Sequence, residues 1–208
     1  MKLKYLGIFG IISLLSYTAM VVFSPLAYPG YDWLGMAVSD LSADGAPSQA
    51  LAEQLNALFE PCGIVSIMAV CVAVRQCQPK TFRLGIYCFA AMEWITVVGY
   101  KMFPLAQGED MSAFQNIMHI VVTILVVLFS IISLILIAIG GRKTYPSISI
   151  WAIVCFVMMM VGAIGTGVMP KTVFGLFERF STFSAVMFNA VLGVYLLKGK
   201  FEKTQDVK

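Results

Sequence analysis

The sequence has little charge and few of the side chains that most often carry out catalysis. Charged residues make up 12% of the 208 residues, about half the share of a typical soluble domain. The one histidine is His119, which excludes membrane lipid hydrolases built on several histidines. Five cysteines include no C-x-x-C pair, so a cysteine-based metal site is not expected. We therefore expect neither a metal nor a cofactor.

Long apolar runs dominate instead, and hydrophobic residues make up 60% of the chain. A membrane-spanning helix needs about 20 largely apolar residues. The runs predict six helices at about 5–23, 51–74, 82–103, 112–139, 147–168 and 173–197. The predicted fold class is an all-α polytopic membrane protein, a six-transmembrane-helix bundle. One membrane domain over 1–198 is followed by a basic tail over 199–208.

The basic residues lie mainly on one side of this six-span arrangement. Eleven of the 14 lysines and arginines fall on the side of the two termini, and Lys101, Lys171 and Arg179 fall on the other. Such an excess marks cytoplasmic loops, so both termini are predicted to be cytoplasmic. Topology explains the positive charge, and no nucleic-acid partner is expected. The first apolar run exceeds the core of a signal peptide, so we interpret it as a retained helix.

The longest loop outside the bundle follows the first helix and concentrates small polar residues. Ser39, Asp40, Ser42 and Asp44 lie within six residues, and Ser48 is a candidate helix N-cap. One interpretation is turn and capping chemistry alone. The other is a re-entrant or pocket-covering loop, which the alternation of hydrophobic with polar residues favours.

A polar stripe runs along the start of the fourth predicted helix. Ser112, Gln115, Asn116, His119 and Thr123 share one face at helical spacing. Such a stripe is unfavourable against lipid, so it must face water or another helix.

Other predicted helices carry acidic residues at similar depth. Glu60 lies in the second helix beside Pro61, which is expected to kink that helix, and Glu93 lies in the third. An isolated charge at that depth is unfavourable, so each carboxyl should be protonated or within hydrogen-bond reach of a polar side chain. Glu178 and Arg179 open the sixth helix and point about 100° apart, so they need separate partners.

Two interpretations of these stripes remain open. The first is one polar cavity between the second, third, fourth and sixth helices, open to the outside, with His119 near Glu178. In it, Arg179 points to the mouth, where Asp40 or Asp44 holds it until a phosphate-bearing ligand displaces them. The second is that the polar residues form interhelical hydrogen bonds that only hold the bundle together. The predicted ligand-binding residues are Asp40, Asp44, Glu60, Glu93, Gln115, Asn116, His119, Glu178 and Arg179.

The order of four short motifs resembles a known family. These are SDLSADG after the first helix, a Phe–Pro ending of the third, a histidine early in the fourth, and GLFERF opening the sixth. This order resembles the bacterial multispan family known as domain of unknown function 998. The resemblance implies a six-helix protein of the bacterial cytoplasmic membrane and gives weight to Ser39, Asp40, Pro104, His119, Glu178 and Arg179. It implies no activity, and Leu105 departs from the acidic residue associated with the family after that proline.

Three classes of function fit these residues. Binding of a lipid or amphiphile head group is the first hypothesis, because it needs only an outward polar cavity and a cation. A membrane-embedded hydrolase or transferase would use Ser39 or Asp40 with His119 and Glu178, but no nucleophile-elbow motif supports it. A scaffold, an immunity protein or a small carrier is the third class. Membrane lipids are the expected partner, and a homodimer or another membrane protein is possible.

Overall fold

The structure is a computed structural model that describes residues 2–77, 79–105 and 114–201. The described part of the chain is helical and confirms the predicted fold class, with six helical runs long and apolar enough to cross a membrane. The helices are α1 Ile8–Phe23, α2 Gln49–Asn56, α3 Phe59–Val74, α4 Lys80–Met102, α5 Phe114–Gly141, α6 Pro146–Val168 and α7 Phe174–Leu197. Together α2 and α3 make one of the six runs, Gln49–Val74.

The predicted second helix is divided before its proline. It breaks at Ala57 and Leu58, and Pro61 is the third residue of α3. A kink centred on Pro61 within a continuous helix is therefore wrong. Proline has no N–H, and its ring would collide with the carbonyl of Ala57, four residues earlier. In the first turn of a helix neither feature matters, because those N–H groups have no partner in the helix.

The helices form a closed ring in which each packs against its neighbours, in the order α1, α3, α4, α5, α6, α7. The helices α3 and α7 also pack against each other across this ring. Many of the large apolar side chains on the outside are exposed, as a membrane-facing surface requires. Leu15, Ile139 and Ile164, for example, are more than half exposed.

The end of the bundle that carries both termini has an apolar core. Phe82, Phe89 and Phe188 are fully buried, and the rings of Phe89 and Phe188 meet edge to face at 5.3 Å. Phe201 packs against Phe82 and Tyr145 and is 5% exposed. The packed part of the chain thus includes Phe201, which lies within the predicted tail.

The opposite end is covered by residues 28–48, which we call the cap. Leu41 is fully buried and Val38 nearly so, in a cluster with Tyr17 and Met20 of α1. Ser48 occupies the N-cap position of α2, yet its hydroxyl donates to the Leu41 carbonyl at 2.7 Å and caps nothing. The predicted Ser48 cap is therefore wrong, and apolar side chains of this segment pack against α1.

Candidate functional site

Glu178 binds the cap through its backbone. Its Oε2 accepts a hydrogen bond from the Val38 N–H at 2.5 Å, and the Ser39 N–H also contacts this carboxyl. These two groups open the single helical turn Ser39–Ser42. Unpaired N–H groups at the start of a helical turn favour a carboxylate. Glu178 therefore fixes the cap to the start of α7.

Arg179, the residue after Glu178 in α7, also binds the cap. Its Nη1 donates to the carbonyls of Trp33, Met36 and Gly175 at 2.9, 3.2 and 2.7 Å. Its Nη2 donates to the Tyr31 hydroxyl at 2.7 Å, and its guanidinium lies 4.2 Å from the centre of the Trp33 ring. The side chain is 4% exposed. Arg179 is thus enclosed by the cap, and both of its terminal nitrogens are in use.

Tyr31 completes this contact. Its hydroxyl donates to the Ala37 carbonyl at 2.7 Å while it accepts from Arg179. Burial raises the pKa of Tyr31 to about 12, although the charge of Arg179 acts in the opposite direction. The phenol is therefore neutral at physiological pH and keeps the proton that it donates.

The acidic residues of the cap do not hold Arg179 as predicted. Asp40 accepts from the Ala37 N–H at 2.9 Å, and its burial raises the pKa of this carboxyl. Asp44 is exposed, and its backbone N–H donates to the Leu105 carbonyl at 3.1 Å. No ion pair joins either residue to Arg179 in the part of the chain that the structure describes. Arg179 donates to backbone carbonyls of the cap instead of to these carboxylates.

Glu93 lies at the meeting of α3, α4 and α7. Its Oε1 accepts from Asn189 Nδ2 at 2.9 Å, and the same nitrogen donates to the Gly63 carbonyl at 3.2 Å. A Cβ at Gly63 would lie 3.1 Å from Ser13 Oγ and 3.6 Å from Glu93 Oε2, so a larger side chain there would displace Ser13 slightly. The expectation that Glu93 has a polar partner is confirmed.

Glu60 has a charged partner. Its Oε2 lies 2.5 Å from Lys101 Nζ. Glu60 is in the first turn of α3 and Lys101 in the last turn of α4, so both charges also suit the helix dipoles. The expectation that Glu60 is not an isolated charge is confirmed.

The polar face of α5 is directed at the end of α4. His119 Nδ1 lies 2.9 Å from the Phe103 carbonyl, and the His119 ring lies 4.9 Å from that of Tyr100. Gln115 Nε2 donates to the Pro104 carbonyl at 2.7 Å. Asn116 is buried on the same helix. Ser112, the first residue of the predicted stripe, lies outside the described residues.

The predicted meeting of His119 with Glu178 is absent. Within the described ranges, no hydrogen bond or ion pair joins His119 to Glu178, Ser39 or Asp40. The partners of His119 and Gln115 are instead the carbonyls of Phe103 and Pro104, which follow the end of α4. Among the described residues, direct hydrogen bonds and ion pairs thus do not link the candidate nucleophile, base and carboxylate of a hydrolase. The described residues also include no group of three or more His, Cys, Asp or Glu that could hold a metal.

A cleft of about 660 Å³ lies between α2, α3 and α4, at the cap end. Its apolar wall is formed by Ala52, Pro61, Ile64, Val65, Trp94 and Val97. Its polar rim is formed by Ser42, Glu53, Asn56, Glu60 and Lys101. Of the predicted site residues, Glu60 alone lines it. Sequence reasoning missed Lys101 and Trp94, although Lys101 lies in the last turn of α4, at the level of Glu60 in the first turn of the preceding helix α3.

A smaller groove of about 280 Å³ lies between α5 and α6, towards the end with the termini. It is apolar except for Arg142. Its lining is apolar like the wall of the cleft, but none of its described lining residues is acidic.

Comparison with known proteins identifies the family of this chain. No curated protein and no solved structure matches the chain. The family described as "Protein of unknown function (DUF998)" matches residues 11–195, and the chain belongs to that family.

Proposed function

We propose that this protein binds an amphiphile, with the head group at the rim of the cleft between α2, α3 and α4 and the tail against its wall. The observation that carries the proposal is the division of the cleft into an apolar wall and a charged rim. Ligand sites in proteins combine mostly apolar lining with a few polar groups in this way, and their volumes span about 300–1,000 Å³.

The position of the rim along the helices supports the proposal. Lys101 lies within two residues of the end of α4, where that membrane-spanning run meets the head-group region, and Glu60 is paired with it. Trp94 is seven residues before Lys101 in α4, which places it about 10 Å deeper at 1.5 Å per residue. The wall is thus level with acyl chains while the rim is level with head groups.

The surface below the cleft continues the wall. Met68 and Val72 follow Val65 along α3, away from the rim, and are 42% and 50% exposed. A head group and the first part of a chain fit in the cleft, and the rest of the chain follows these side chains.

The ion pair at the rim does not close the cleft to charged ligands. The Lys101 side chain is 66% exposed and that of Glu60 is 21% exposed. Exposed ion pairs contribute about 0–1 kcal/mol, so a ligand that offers each partner a new counter-charge can replace the pair.

The orientation is also part of the proposal. The excess of basic residues on the side of the termini favours a cytoplasmic location for that end. The cleft then faces the outer leaflet of a bacterial cytoplasmic membrane.

The test is to fill the cleft and measure the lipid that remains bound. Val97→Trp adds bulk to the wall, and Val157→Trp adds the same side chain to an exposed position on α6 outside the cleft. Native mass spectrometry of the purified protein should show bound lipid in the wild type and in Val157→Trp, and a clear loss in Val97→Trp. Equal lipid in all three proteins would refute the proposal.

A further inference from the structure

The rim of the cleft has more negative than positive charge. It contains two carboxylates, Glu53 and Glu60, and one ammonium, Lys101. The Lys101 ammonium is already paired with Glu60, so Glu53 has no basic partner in the cleft lining. Glu53 is exposed, and Gln49 Nε2 donates to its Oε1 at 2.8 Å, so its nearest recorded partner is a neutral amide.

The rim also has an acceptor with no donor. Asn56 Oδ1 is buried and has no hydrogen-bond partner, and Asn56 lines the cleft. A buried acceptor without a donor is unfavourable, so turning the Asn56 amide towards the cleft, where a ligand supplies a donor to Oδ1, would be stabilising. Charge and hydrogen bonding both call for a cationic donor, to which a head group carrying only a phosphate is a poor match.

Building on the proposed function, we propose that the cleft selects amphiphiles whose head group carries a primary ammonium together with a phosphate. The ammonium binds Glu53, Glu60 and Asn56 Oδ1, and the phosphate binds Lys101. The ion pair within the protein is replaced by an ammonium shared between Glu53 and Glu60 and a phosphate paired with Lys101, so each charged group has an opposite charge beside it.

The number of acceptors favours a primary over a quaternary ammonium. A primary ammonium has three N–H donors, which match two carboxylates and one amide oxygen. A quaternary ammonium donates no hydrogen bond and is typically bound by a cage of aromatic rings. Among the described residues Trp94 is the one aromatic side chain that lines the cleft, and a single ring makes no cage.

The experiment offers the protein three lipids that differ only in the head group. Delipidated protein is mixed with equal amounts of phosphoethanolamine, phosphocholine and phosphoglycerol lipids with identical acyl chains, and bound species are counted by native mass spectrometry. The wild type should prefer the phosphoethanolamine lipid over each of the others by about tenfold, which corresponds to about 1.4 kcal/mol.

Substitutions then locate the preference. The double substitution Glu53→Gln and Glu60→Gln should reduce it to about twofold or less, and Lys101→Met should lower binding of the phosphoethanolamine lipid. Asp32→Asn is the matched control, because Asp32 is an exposed acid of the cap outside the cleft. It should leave the preference unchanged.

The possible results separate this proposal from the proposed function. If the three lipids bind equally and Val97→Trp reduces all of them, the cleft binds amphiphiles and the ammonium proposal is wrong. A preference that survives the double substitution, or that Asp32→Asn also removes, overturns it as well. Binding that is insensitive to Val97→Trp refutes the proposed function itself.

Discussion

The docking of the cap on α7 depends on the absence of a side chain at Gly175. A Cβ added there would lie 2.0 Å from the Met36 carbonyl oxygen and 2.7 Å from Arg179 Nη1. Ordinary contacts between such atoms are about 3.5 Å, so Gly175→Ala must move the cap by more than about 1 Å. That movement also disturbs the hydrogen bond from Leu176 N to the Leu34 carbonyl, which is 3.1 Å long.

The expected loss of stability follows from these contacts. Overpacking typically destabilises by about 1–3 kcal/mol, and a weakened hydrogen bond from a charged group adds about 1.5–3 kcal/mol when it is lost entirely. We expect Gly175→Ala to destabilise the protein by about 2–4 kcal/mol. For a chain of this length the unfolding midpoint should fall by about 5–10 °C.

Two assays measure the effect, one of stability and one of the cap. Thermal unfolding in detergent gives the midpoint. A variant in which Trp33 is the sole tryptophan reports on the cap, because Trp33 stacks on Arg179. Gly167→Ala is the control, since nothing lies within 4 Å of a Cβ at that position. It should change stability by no more than about 1 kcal/mol. An unchanged midpoint and unchanged Trp33 emission in Gly175→Ala would refute this account of the cap.

Three further predictions concern other parts of the chain. Glu93→Gln should be tolerated, whereas Glu93→Leu should destabilise by about 1–3 kcal/mol in thermal unfolding, because it removes an acceptor from Asn189; equal effects would contradict the pairing. Truncation just before Phe201 should destabilise by about 1.5–3 kcal/mol, and truncation just after it should have little effect on the same measurement. Reporter fusions after Lys143 should behave as cytoplasmic and those after Gly108 as external, and the reverse pattern would overturn the orientation.

Hydropathy alone predicted the six membrane-spanning runs, because each needs only a composition and a length. The energetic penalty of an isolated charge in a membrane predicted that Glu60 and Glu93 would each have a polar or charged partner. Their identity did not follow, since nothing in the sequence places Asn189 beside Glu93. That contact depends on the packing of α3 against both α4 and α7.

The polar stripe of α5 shows where sequence reasoning fails. Helical periodicity placed Gln115, His119 and Thr123 on one face, and Tyr100 does donate to Thr123 Oγ1 at 3.1 Å. Periodicity does not say which neighbour that face meets. It meets α4, the helix before it in the chain, and so the expected contact between His119 and Glu178 does not form.

Arg179 was predicted to be a ligand-binding cation because no carboxylate was available within its own helix. Peptide carbonyls were not considered as its partners, yet they and Tyr31 enclose it. The aromatic residues Tyr31 and Trp33, close together after the first helix, were the available signal. Aromatic rings at the same end of the bundle as a buried arginine are suitable partners for it.

Mapping where an amphiphile contacts the protein tests the central claim most directly. A phosphoethanolamine lipid with a photoreactive group in its tail can be crosslinked to the wild-type protein, and the labelled residues identified by peptide mass spectrometry. Labels are expected on Ile64, Val65, Trp94 and Val97, and Val97→Trp should reduce them. Labelling spread evenly around the bundle, or concentrated in the groove between α5 and α6 at Ile135 and Ile153, would contradict a binding site in the cleft.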